Sequence, residues 1–238
     1  LEDTSNVISL ATSYTDLAGN TGTVASSANY AIDTAVPTVS SIAISGATGA
    51  LNSTLNAGDV VSTTVTLSEA VTVTGTPQLA LNIGGTTVQA NYASGSGTNA
   101  ITFTYTIVAG QADTNGISLA ANSLSLNAGT IVDLAGNTAT LTTALVADNA
   151  AYKVDTSVPT ATITLSDTAL AVGETATVTI VFSEAVTSFT NADLTVQNGT
   201  LSNVTSSDNI TWTGTFTPTA ALEDTSNVIS LATSYTDL

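Results

Sequence analysis

Residues 175–186, TATVTIVFSEAV, and residues 209–217, NITWTGTFT, decide the fold. In the first, Ala176, Val178, Ile180 and Phe182 alternate with outward Thr and Val; in the second, Ile210, Trp212, Gly214 and Phe216 share one face. Period-2 alternation rich in β-branched residues marks half-buried strands. Around them, residues 160–165, 193–197, 201–205 and 228–235 read as further strands, and Asn198-Gly199 gives a short hairpin signal. No 3.6-residue apolar stripe persists, so the chain is expected to be all-β.

Repetition sets the organisation. Residues 1–17, LEDTSNVISLATSYTDL, recur letter for letter as residues 222–238, an offset of 221. Weaker echoes lie between the copies. YTDLAGNTG at 14–22 resembles IVDLAGNTA at 131–139, AIDTAVPT at 31–38 resembles KVDTSVPT at 153–160, and TLSEAVTV at 66–73 resembles VFSEAVTS at 181–188. A spacing near 100 residues signals beads on a string rather than a solenoid of shorter period. Each Asp-Thr-x-Val-Pro segment ends a strand and begins an extended linker, because Pro holds the residue before it extended. The expected modules are therefore 1–34 (the last two strands of one repeat), 35–156 (a complete, longer repeat) and 157–238 (a repeat without its last strand). Joining 157–238 to 18–34 gives 99 residues, close to the ~100 of an immunoglobulin-like Greek-key β-sandwich. Such modules are expected to follow one another end to end, with residues 22–32 as the last strand of the first.

Composition narrows the function. One basic residue, Lys153, stands against 18 carboxylates, for a net charge of −17. Nucleic acid is excluded as a partner, because binding phosphates requires a Lys/Arg footprint. With no Cys and no His, neither disulfides nor zinc are expected. No apolar run approaches the length of a membrane-spanning helix, so no membrane insertion is expected. Residues 1–4 lack the positive and apolar regions of a secretory leader, and the sequence reads as an interior stretch. Nucleophilic catalysis lacks a His or Cys, and with few aromatic residues to line a sugar cleft no enzyme is expected.

The sandwich topology predicts where the acids gather. The loop after the second strand and the loop before the last share one end with the incoming linker, so Glu69 and Asp133 should meet Asp33 there, with Asp3 beside them. The second junction should likewise collect Asp113, Asp155, Glu184 and Asp237. Carboxylates crowded without a basic partner repel one another, and a bound cation resolves the conflict. Ca²⁺ suits it best, as an ion that accepts six to eight oxygens in irregular geometry. The Asp-Leu-Ala-Gly-Asn segments, carrying the candidate ligands Asp16, Asp133 and, through its side-chain oxygen, Asn137, read also as plain tight turns, and the linker acids as solvated loop residues. Trp212 reads as a core anchor, and Tyr30 and Tyr152 as packing residues of a last strand.

These motifs (Gly173–Val178, FSEAV at 182–186, residues 189–201, FTPT at 216–219, YTDLAGNTG at 14–22) resemble the bacterial Ig-like (BIg) tandem repeats of large calcium-dependent RTX-type adhesins. GTPQLALNIGG at 75–85 looks like a longer repeat of the same kind of protein. The resemblance implies a structural extender (stalk) of a secreted, cell-surface adhesin, stiffened by Ca²⁺ at its linkers. It carries the ligand role to Asp16, Asp33, Glu69, Asp133, Asp155, Glu184 and Asp237, whereas Asp3 and Asp113 rest on topology. The expected partners are neighbouring repeats and, head to tail, other copies. A self-assembling filament, sheath or surface layer is the alternative, and a glycan- or ice-binding tip module the third.

Overall fold

A computed structural model of the chain describes residues 3–232 and 235–237. The expected strand 228–235 includes residues 233 and 234, which lie outside the described residues. Contacts divide the chain into two units, Leu1–Thr156 and Ser157–Leu238. Both are built of strands, with no α-helix among the described residues.

The first unit opens with β1 (Asp3–Asn6), β2 (Ser9–Leu10), β3 (Ala25–Ser26) and β4 (Tyr30–Ile32). They pair as β1 with β4 and β2 with β3, and β2 through β4 lie exposed. The sandwich follows with β5 (Val39–Thr48), β6 (Thr54–Leu55), β7 (Val60–Thr74), β8 (Gln78–Ile83), β9 (Thr86–Ser94), β10 (Thr98–Thr106), β11 (Ala112–Asp113), β12 (Leu124–Ser125), β13 (Thr130–Val132) and β14 (Lys153–Asp155). One sheet runs β12-β8-β9-β10-β7-β13, with β5 also on β7, and a small sheet runs β11-β14-β6. Alternation drives the burial: Val61, Thr63, Val65 and Leu67 of β7 and Leu79, Leu81 and Ile83 of β8 point inward. They meet Leu55, Ile101, Phe103, Ile117, Leu119 and Val154 in one core.

In the second unit, β15 (Ala161–Leu165), β16 (Ala176–Phe182), β20 (Thr211–Pro218) and β19 (Gly199–Leu201) form one sheet in that order. Facing pairs join β18 (Leu194–Val196) to β21 (Ile229–Leu231) and β17 (Val186–Thr187) to β22 (Thr236–Asp237). The arrangement is a sandwich with the sheet order of an immunoglobulin-like module. Its core is Val178, Ile180, Phe182, Val186, Phe189 and Phe216. Trp212 packs edge-on against Phe189 at 5.1 Å, a core role, with its indole N–H buried and unpartnered among the described residues.

Asn198-Gly199 is not a hairpin. The strand before it, β18, pairs with β21, and the strand after it, β19, pairs with β20 in the opposite sheet. Asn198 takes a positive φ of 51°, but Gly199 does not, so this is not the type I′ turn that an Asn-Gly pair favours in a two-residue hairpin. Gly199 serves another need: a Cβ there would lie 2.3 Å from the Phe216 ring. The glycine lets the chain cross between sheets against that ring.

Candidate functional site: an acidic cluster at the linker

The linker after β4 is fastened to the sandwich by matched backbone pairing. Thr38 N–H donates to Ser68 Oγ at 3.0 Å and Ser68 N–H donates back to Thr38 O at 2.8 Å. Thr140 N–H donates to Pro37 O at 2.8 Å. Thr160 and Ser183 repeat the first clasp in the second unit, at 2.9 and 2.8 Å. The serine before the Glu of each SEA triplet thus fixes the linker. Both serines repeat in register with the Thr after each linker proline, a pairing signal present in the sequence beside the acids.

Asp133 is positioned by its own turn. Its Oδ1 accepts the N–H groups of Gly136 (2.7 Å) and Asn137 (2.8 Å), and its Oδ2 accepts the Asn137 side-chain amide (2.8 Å). Gly136, at φ 99°, supplies the left-handed residue that closes the turn. The Asn137 amide also donates to Asp33 O at 3.2 Å, so its nitrogen, rather than its oxygen, faces both acids. Burial opposes the charge of Asp133, but hydrogen bonds from the Asn137 side chain and from the N–H groups of Asn137, Gly136 and Ala135 outweigh it, and its pKa is lowered.

These constraints bring Asp33, Glu69 and Asp133 together, with one carboxylate oxygen from each within 4.8 Å of the others. Asp133 is buried and the other two are partly covered. Glu69 was expected in a loop after the second strand. It lies instead inside β7, where the strand exchanges β5 for β13 as partner. Glu184 does fall between two strands, β16 and β17.

The remaining expected ligands sort as follows. Asp3 sits opposite Ile32 in β1 and accepts the Ser5 N–H, outside the cluster. Asp16 builds the same turn as Asp133, its pKa lowered chiefly by the Asn20 side chain, but stands exposed and joins no acidic group among the described residues. Asp113 is buried in the first unit and accepts the N–H groups of Gly84 and Gly116, both at 2.8 Å. Asp155 is paired opposite Ala112. Asp237 is paired opposite Val186 in the second unit. The turn reading and the ligand reading of Asp-Leu-Ala-Gly-Asn are therefore compatible: the turn forms at both copies, and at one it aims the acid into a cluster.

Residues 155–238 match the family of bacterial Ig-like domains. The second unit is accordingly similar to a family that is typically non-catalytic and commonly extracellular or surface-exposed. No curated protein matches the chain. No helix among the described residues is long and apolar enough to cross a membrane.

Three carboxylates, with no nitrogen or sulfur ligand, suit a hard cation. The Asn137 side chain, which was expected as a ligand, acts here as the clamp that orients Asp133 and the Asp33 backbone.

Proposed function

We propose that the chain is a structural extender repeat of a secreted, cell-surface bacterial adhesin, stiffened by Ca²⁺ bound to Asp33, Glu69 and Asp133. The convergence of those three carboxylates carries the reading. Asp33 lies between β4 and β5, so a cation that it shares with Glu69 and Asp133 ties the segment bearing β1 to β4 to the sandwich. Three carboxylates supply part of the six to eight oxygens that Ca²⁺ takes, and water and backbone oxygens complete such shells. Asp155, Glu184 and Asp237 repeat in sequence the motif positions of Asp33, Glu69 and Asp16. A stalk gains from this chemistry because the linkers stay soft where Ca²⁺ is scarce and set where it is abundant.

A Ca²⁺ titration followed by small-angle scattering and calorimetry tests the reading. Ca²⁺ is expected to increase the maximum dimension of the chain and to raise the melting temperature of the first unit. A scattering profile and a melting curve that do not change between Ca²⁺ and chelator overturn it.

A further inference from the structure

The two units guard one equivalent sheet edge differently. In each, the first strand of the sandwich is paired on one side, β5 with β7 and β15 with β16. The first unit shows that a closing strand does not reach the other side: β14 meets β6 at Thr54 and Leu55, and Thr140 bridges Thr38 ahead of β5. Among the described residues no strand lies along the outer side of β5 or of β15. The open edge therefore belongs to the fold. β5 blunts it, since its ladder is interrupted between Val39 and Ser41 and again between Ile44 and Gly46, and bulges twist an edge away from a newcomer. β15 has no such device. Its residues, ATITL, pair in unbroken register from Ala161 opposite Phe182 to Leu165 opposite Val178. Nor does it carry the usual charged or proline guard, because residues 160–166 hold neither, in a chain of net charge −17.

Backbone phase identifies what the edge offers. Along an antiparallel pair, alternate residues turn their N–H and C=O groups toward the partner strand. The Ser183 N–H donates to Thr160 O at 2.8 Å and the Ser166 N–H donates to Thr177 O at 2.9 Å, so Thr160, Thr162, Thr164 and Ser166 face β16. The N–H and C=O groups of Ala161, Ile163 and Leu165 consequently point outward. Side chains alternate in the same way, with Thr162 and Thr164 exposed on the outer face and Ala161, Ile163 and Leu165 half-buried on the core face. Ile42, at the aligned position of β5, is half-buried too.

We infer that β15 pairs with β15 of a second copy of the chain, antiparallel about a two-fold axis through Ile163. In that register Ile163 faces its own counterpart and Ala161 faces Leu165, and each pair exchanges both hydrogen bonds, so every outward group of the strand is satisfied. The order of the letters makes a second copy the occupant. Read against itself in reverse, ATITL sets Thr162 opposite Thr164 on the outer face and apolar opposite apolar on the core face, and such matched cross-strand pairs are the ones that stabilise a sheet. Charge agrees, since a chain this acidic approaches a copy of itself most readily through a strand that carries no carboxylate. An isologous contact closes at two copies, and an interface of one short strand belongs to the weak, reversible class. The inference depends on neither the cation nor the stalk.

Sedimentation equilibrium of the full chain up to high concentration, in chelator and moderate salt to screen net repulsion, tests the inference. A reversible monomer–dimer equilibrium is expected. Thr162→Glu with Thr164→Glu, both at exposed positions, sets like charges opposite one another across the axis and is expected to weaken the dimer by roughly tenfold or more. Thr162→Lys with Thr164→Glu sets unlike charges opposite in this register and is expected to restore it, at unchanged net charge. Hydrogen exchange supplies the phase: raising the concentration should slow the amides of Ala161, Ile163 and Leu165 and leave those of Thr162 and Thr164, already bonded to β16, as they were. A chain that stays monomeric throughout overturns the proposal. So does a dimer that both Glu substitutions leave undiminished, or one that forms without slowing those three amides.

Discussion

Replacing Glu69 with Gln separates the two consequences of the acidic cluster, because the substitution keeps shape and removes one charge. The carboxylate oxygens of Glu69 and Asp33 lie within 4.8 Å. Two unit charges at that distance repel by roughly 1 kcal/mol at the dielectric of water and roughly 3.5 kcal/mol at the intermediate value of a protein surface. Without a divalent ion, Glu69→Gln is therefore expected to raise the stability of the first unit, most visibly at low salt. With Ca²⁺ the sign reverses. A site saturated at about 100 times its dissociation constant adds about 2.7 kcal/mol, and in a unit of this size each kcal/mol moves the melting temperature by about 2–4 °C. The native chain should thus gain roughly 5–10 °C on adding Ca²⁺, and Glu69→Gln should lose most of that gain. Asp16→Asn is the control, for Asp16 makes the same turn outside the cluster. Differential scanning calorimetry of the three proteins in chelator and in Ca²⁺ decides. A Glu69→Gln protein that keeps the full Ca²⁺ shift refutes the site, and an Asp16→Asn protein that loses it refutes the selectivity.

Much of the fold was legible because its cause is local. The alternation in 176–182 shows which side chains face inward wherever the strand lies, and Ala176, Val178, Ile180 and Phe182 are all buried. The Asp-Thr-x-Val-Pro, Ser-Glu-Ala-Val and Asp-Leu-Ala-Gly-Asn motifs, set on a sandwich topology, point Asp33, Glu69 and Asp133 to one end of the module. What escaped is non-local. The hairpin expected at Asn198-Gly199 failed because the strands on either side of it pair with partners distant in sequence, β18 with β21 and β19 with β20. Asp3 was drawn into the cluster by a topological argument, but pairing with Ile32 fixes it in β1. Burial of the repeated residues was illegible for a simpler reason: residues 1–17 and 222–238 are the same letters. Tyr30, expected to pack as Tyr152 does, lies largely exposed.

Gly199→Ala should cost about 1–3 kcal/mol by overpacking against Phe216, seen by calorimetry as a lowered transition of the second unit alone. Leu55→Ala, at a fully buried position that holds Val154, should cost about 2–5 kcal/mol and lower the transition of the first unit. The Asp208 pKa is depressed chiefly by the Thr211 N–H, then by the Ile210 N–H and the Ser206 hydroxyl, all donating to its carboxylate. A depressed folded-state pKa gives stability that is complete above the unfolded value of about 3.9 and is lost as pH falls through the folded one. Acid titration of Asp208→Ala should accordingly show a flatter loss of stability below about pH 4 than the native chain. Finally, one substitution made in both copies of the repeated sequence isolates environment from sequence. Tyr235 packs edge-on against Phe182 at 4.9 Å and Phe189 at 6.1 Å, whereas Tyr14 is 42% exposed and donates its hydroxyl to Thr23 O. Tyr235→Ala should therefore cost about 3 kcal/mol or more, and Tyr14→Ala about 1 kcal/mol, the net value of a hydrogen bond. Local propensity is the same for both, so equal losses by chemical denaturation would show that the aromatic cluster of the second unit contributes nothing that the repeated sequence does not carry by itself.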